Sequence, residues 1–206
     1  MEKNKTGNEY VEKMVDMSWF DNAETLSIEQ LLEINIEELS VSCEFKNEIM
    51  LAINLTNCIG NATNSFGQEC LSNQFDYSPI VVIWNKTLER MLRRIYVPVL
   101  KQYLPDYKFP PRPGKEEVVV SDIEPNEFTV GLLIALLNRV HTEKIVFNNE
   151  CDALNMQCYR RLKSASMRKI RDVNNDALHN DISWEKAIDF AKCVVEEIKY
   201  WSNKNQ

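Results

Sequence analysis

Around position 175 the chain gathers the residue types best suited to chemistry. Ile170-Arg171-Asp172-Val173-Asn174-Asn175-Asp176-Ala177-Leu178-His179-Asn180 passes from a basic stretch into asparagines and aspartates grouped about a histidine. An imidazole exchanges protons near neutral pH, a guanidinium steadies anionic oxygen, and a carboxamide donates and accepts hydrogen bonds without charge. If a single helix runs through the stretch, Arg171, Asn175 and His179 recur at i, i+4 and i+8 and share a face, with Asn174 and Asp176 beside them. Just upstream, Tyr159 to Arg171 holds six basic residues and no acid: Arg160, Arg161, Lys163, Arg168, Lys169 and Arg171. A patch of that kind suits a phosphate backbone. A plainer alternative stands beside it: Asn and Asp readily bond local backbone at helix ends, and the basic residues form a solvated face paired with acids of the same molecule.

Composition narrows the classes. The formal charge of −7 argues against a general nucleic-acid coat, but it is unevenly spread. Residues 1–50 hold twelve acids against four lysines, a local −8 that leaves +1 for the remainder. Six cysteines are scattered without C-x-x-C or zinc-ligand spacing, and only two histidines, His141 and His179, are present, so no metal is expected and the cysteines read as small buried hydrophobes. Gly60, Gly67, Gly114 and Gly131 lie too far apart for a phosphate loop, and no cofactor is expected. The N-terminal residues lack an apolar signal, and no run nears the roughly 20 apolar residues of a membrane span. A cytoplasmic protein without membrane contact is therefore expected, in which triplets such as Asn85-Lys86-Thr87 carry no glycosylation meaning.

The elements that must position these residues read as helices. Residues 1–22 show little periodicity and are expected to form an N-terminal arm; residues 23–206 form one domain. Ser27-Ile28-Glu29-Gln30 has the form of a capping box, and Ile28, Leu31, Leu32, Ile36 and Leu39 continue at helical steps. A second apolar run, Phe45 to Ile59, is expected to stop at Gly60 and Asn61. Ser78-Pro79 marks another start, with serine as cap and proline at the first turn of a long helix that passes Pro98. Pro105 to Gly114 breaks the chain, and 116–123 is the one stretch with strand character, enough for an edge or a small hairpin. From Glu127 an almost wholly apolar pattern predicts the central helix, with Gly131 at a close crossing. One long helix is expected from Cys151 to about Asn175, and Ser183 caps the last. Trp84, Trp184 and Trp201 fall on apolar stripes and are expected in the core. The sum is an all-α bundle of five to six helices with a proline-rich insertion.

Asn175-Asp176-Ala177-Leu178-His179, following a basic helix and preceding a capped one at Ile182-Ser183-Trp184-Glu185-Lys186, resembles the signature of the HEPN domains (higher eukaryotes and prokaryotes nucleotide-binding). Phe75-Asp76-Tyr77-Ser78-Pro79 through Glu89 is similar to the first core helix of many bacterial members, so the resemblance covers roughly residues 75 to 200. It implies a HEPN-like bundle and a homodimer whose motif helices face each other. It also implies metal-independent RNA cleavage in toxin or host-defence systems, in which an arginine steadies the phosphoryl charge while histidine moves protons. Carried onto this chain, the catalytic set is His179, Arg171, Asn175, Asn174 and Asp176, and the RNA-binding set Arg160, Arg161, Lys163, Arg168 and Lys169. The chain departs where the family places its arginine: Asn174 stands there. That departure and the acidic first fifty residues motivate the rival expectation, a non-catalytic helical module that regulates or scaffolds a protein partner or antitoxin.

Overall fold

The computed structural model describes residues 27–65, 75–109, 118–142 and 156–203. Among them the chain is an all-α bundle. After a single turn, α1 (Ile28–Leu31), come α2 (Cys43–Ser65), α3 (Ser78–Tyr103), α4 (Val130–Thr142), α5 (Met156–Leu162), α6 (Ala165–Ala177) and α7 (Trp184–Ser202). Lys108–Phe109 (β1) and Val118–Val119 (β2) make one two-residue antiparallel pair, Lys108 opposite Val119. Of the strand expected over 116–123, residues 116–117 lie outside the described residues, and Val118–Val119 is strand before Val120–Asp122 turns at once into a 3-10 helix. The expected N-terminal arm and residues 110–114 of the proline-rich insertion lie outside the described residues.

The centre of the bundle is α3, which packs on α2, α4, α6 and α7. Its stripe of Ile80, Val81, Trp84, Leu88, Leu92, Tyr96 and Leu100 is buried, facing Ala187, Ala191, Val194, Val195, Ile198 and Trp201 of α7 and others. Trp84 is fully buried, and its indole N–H donates to Thr56 Oγ1 at 3.0 Å, while Thr56 Oγ1 donates to the Ala52 carbonyl at 2.7 Å. The tryptophan thereby buries its ring without stranding its one polar atom. Trp201 is also fully buried, whereas Trp184 is half-buried.

Several local expectations are corrected. The helix begun at Ser27, whose capping box is present, ends after one turn: Glu33 adopts φ 54°, and the Ile34 and Glu33 N–H groups close back on Glu29 and Gln30 carbonyls. That left-handed stop lets Ile34 and Leu39 reach the core from an irregular segment. Gly60 does not stop α2 but lies within it. A β-carbon there would come within 2.6 Å of Trp184 Cη2, so its missing side chain admits the tryptophan ring. Gly131 is exposed, with only Thr129 Oγ1 nearby at 3.8 Å, and marks no crossing. Nor is α4 central, since Ala135 is exposed and Leu132 and Ile134 are only half-buried. The helix expected from Cys151 is broken at Lys163-Ser164, where Ser164 Oγ accepts from Met167 N–H and starts α6 afresh. Cys158 is buried as expected, but Cys43 and Cys58 are exposed.

Candidate functional site

Helix α6 carries the motif and owes its orientation to an amphipathic pattern. Met167, Ile170 and Ala177 are buried against the bundle, which turns Arg168, Lys169, Arg171, Asp172 and Asn175 outward. The helix ends at Ala177, and Leu178 is its C-cap. His179 lies in the turn beyond, its N–H donating to the Asp176 carbonyl at 3.0 Å. The unbroken helix required to align Arg171, Asn175 and His179 on one face is therefore absent at its last member. Even along a continuous helix, eight residues rise roughly 12 Å. His179 is exposed, and no described residue hydrogen-bonds to its ring.

Two carboxylates fix this turn. Asp176 accepts from Asn180 Nδ2 at 2.6 Å and pairs with Lys186 of α7; that lysine, followed by Asn180, holds its carboxyl below the ordinary carboxylate range. From the other side Asp76 reaches across. Its Oδ1 accepts from Ser78 N–H at 2.9 Å, Ser78 Oγ at 2.6 Å and Ile182 N–H at 3.0 Å. Tyr77 N–H donates to the Ile182 carbonyl at 3.0 Å, and Ser78 Oγ lies 3.3 Å from the Asn180 carbonyl. Burial alone would raise the Asp76 carboxyl, but the hydrogen bonds from Ser78 and Ile182 outweigh it and the pKa is lowered. Ser78 is thus the first residue of α3, not its cap, and Asp76 satisfies the backbone there.

The basic residues separate into two groups. Arg161 turns inward: its Nε donates to Glu197 Oε2 at 2.9 Å, Glu197 is fully buried, and the guanidinium carbon sits 4.6 Å from the Tyr200 ring centroid. Lys163 folds over Tyr159, with Nζ 3.1 Å from the phenol oxygen. By contrast Arg160, Arg168 and Lys169 are exposed, and none forms an ion pair with a described residue. Arg171 is exposed and among the described residues pairs only with its neighbour Asp172, at 3.2 Å. Of the described acids of the first fifty residues, Glu44 and Glu48 pair with Arg94 and Arg90 of α3 and Glu37 with Lys46; none of these pairs involves this patch.

Beside α6 lies a groove of about 330 Å³ between α3, α4 and α6. Arg168, Arg171, Asn174 and Asn175 line one wall, Asn85 and Glu89 the other. His179 does not reach it. Asn85 and Glu89 were not singled out from the sequence, although a signal existed: two polar residues four apart, on the core-facing side of an apolar helix. Among the described residues no group of histidine, cysteine and carboxylate side chains could hold a metal ion, and no helix is long and apolar enough to cross a membrane. Compared with family models, curated proteins and solved structures, the chain matches none.

Proposed function

We propose that the protein is a HEPN-like, RNA-acting helical protein that grips single-stranded RNA along the outward face of α6. One observation carries the reading: Arg168 and Lys169 of α6, with Arg160 of α5 before them, are exposed without described ion-pair partners, and among the described residues Arg171 holds only a solvent-exposed aspartate. Exposed pairs of that kind are weak, so a phosphate displaces Asp172 at little cost. A cleaving reaction within this reading requires a second copy. Arg171 and His179 of one chain flank different features, and an imidazole and a guanidinium act on one phosphate only across a dimer seam, the arrangement the family resemblance implies. There His179 would take the proton of the attacking ribose 2′-hydroxyl as its oxygen bonds to phosphorus and the bond from phosphorus to the 5′-oxygen breaks, that leaving oxygen taking a proton from water, while Arg171 offsets the phosphoryl charge that Asn174, in the family's arginine position, leaves unmatched.

The test is a binding and cleavage assay on unstructured RNA in the presence of a chelator. RNA binding that Arg168→Glu with Lys169→Glu abolishes is expected; undiminished binding by that variant overturns the reading. Cleavage lost in His179→Ala and in Arg171→Ala supports the ribonuclease form, and intact RNA under saturating wild-type protein ends it.

A second reading, a protein-binding module without chemistry, is favoured by Met50, Leu51 and Leu55, which expose apolar surface on α2. Leu51 and Leu55 stand one helical turn apart with Cys58 following, a short stripe suited to a partner helix. A partner recovered by the wild-type chain and lost by Leu51→Asp with Leu55→Asp supports it; recovery of the same partner by both counts against it.

A further inference from the structure

The groove between α3, α4 and α6 is lined on its α3 side by two polar side chains that are nine-tenths buried. Asn85 is 9% exposed, lines the groove, and its carboxamide makes no hydrogen bond to a described residue. Glu89 is 8% exposed; its Oε2 meets Lys86 at 3.0 Å and Arg93 at 3.6 Å, and Oε1 has no described partner. Buried carboxamides are normally satisfied, so the Asn85 amide, with the spare Oε1 of Glu89 one turn further along the same helix face, suits a ligand that supplies the missing donors and acceptors. Leu88, Ile134 and Ile170 add apolar walls, and Arg168 and Arg171 stand at the rim.

From these groups we infer that the groove binds a guanine nucleotide. The edge chemistry of the bases selects guanine. A carboxylate accepts only, so it selects a base with two adjacent donors, and guanine alone offers N1–H beside its exocyclic N2–H. Adenine would set its N1 acceptor against the same carboxylate, and uracil flanks its single donor with two carbonyls. The Asn85 amide donates to guanine O6, the apolar walls take the ring faces, and the two guanidiniums meet the 5′-phosphate. A groove of about 330 Å³ falls within the size range of small-molecule sites. The inference deepens the RNA-acting reading and rests on it only in sharing Arg168 and Arg171, since the bound guanine is either a free nucleotide or one residue of an RNA strand.

Calorimetric titration of the full chain with GMP, AMP, UMP, guanosine and inorganic phosphate tests it. GMP is expected to bind at least about tenfold more tightly than AMP or UMP, the discrimination of one charged hydrogen-bond pair, and Glu89→Gln to erase that preference. Arg168→Ala is expected to weaken GMP about fivefold while leaving guanosine unchanged. Because Arg168 is exposed, that variant and the wild-type base preference carry the test if Glu89→Gln fails to fold. Equal binding of GMP, AMP and UMP, binding of phosphate as tightly as GMP, or no heat with GMP at millimolar concentration overturns the inference. Oligouridylate separates this from the wider reading: its binding without GMP binding overturns the guanine site and leaves the RNA grip standing, whereas GMP binding without oligouridylate binding supports the site and ends the RNA grip. A single guanine placed in oligouridylate that tightens binding by the same factor assigns RNA as the source; no tightening assigns the free nucleotide.

Discussion

Two polar junctions lie close together on α3 and behave in opposite ways. At its start, Asp76 gathers three donors from Ser78 and Ile182, and the turn that follows α6 is stitched to it through Tyr77 and Asn180. About two and three turns along, Asn85 and Glu89 leave hydrogen-bonding capacity open to a groove. The first junction spends its polar groups on architecture, and the second holds them toward a space. His179 sits on the stitched side, whereas the α3-facing edge of α6 borders the groove.

The comparison breaks most visibly if Asp76 proves dispensable. Asp76→Ala removes an anionic acceptor from three hydrogen bonds and is expected to lower unfolding free energy by about 2–3 kcal/mol in urea denaturation. A loss below about 0.5 kcal/mol would mean the stitch is ornamental. Next in size, pH probes the same carboxylate. The folded-state pKa of Asp76 lies below that of the unfolded chain, so its contribution is complete above the ordinary carboxylate range. It is lost as pH falls through the lowered folded value, where the native state must finally take up a proton the unfolded chain already binds. Acid titration of the melting temperature should therefore show a steeper decline for the wild type than for Asp76→Asn.

The groove should respond in the other direction. Asn85→Leu replaces a buried amide that has no described partner with an apolar group of similar size, and stability is expected to stay within about 1 kcal/mol or to rise. A loss as large as that of Asp76→Ala would show that Asn85 is structural after all. The smallest effect is expected from Lys186→Met, which frees Asp176 in an exposed setting. Its melting temperature should fall by less than that of Asp76→Ala, and the difference from wild type should shrink in high salt.

Much of the scaffold was legible in residue order because local chemistry dictates it. The capping box at Ser27, the proline at the first turn of α3, and the Ser183 cap, whose Oγ accepts from Lys186 N–H at 3.3 Å, are short-range devices that a sequence displays openly. What escaped was set by partners distant in sequence. Gly60 looks like a helix stop until Trp184 arrives to occupy its missing side chain, and Gly131 looks like a crossing only because a glycine in an apolar helix needs some reason. The end of α6 at Ala177 falls within two residues of the expected Asn175, but the break at Lys163-Ser164 was hidden, and Asp176, read as part of a catalytic face, instead draws Asn180 and Lys186 into a turn. Of the candidate site, the six-fold basic run was visible, but its division into an inward Arg161 and outward Arg168 and Lys169 depends on the buried Glu197, thirty-six residues further on. The open groups at Asn85 and Glu89 needed α6 alongside before they could be seen as one site.

The outward face of α6 as an RNA contact is most directly tested by the salt dependence of affinity. Neutralising a phosphate contact on single-stranded nucleic acid changes the slope of log affinity against log salt by about 0.7 per cation. Arg168→Ala with Lys169→Ala should thus flatten the slope by about 1.4 relative to wild type. Parallel lines for the two proteins would contradict the assignment of this face to RNA.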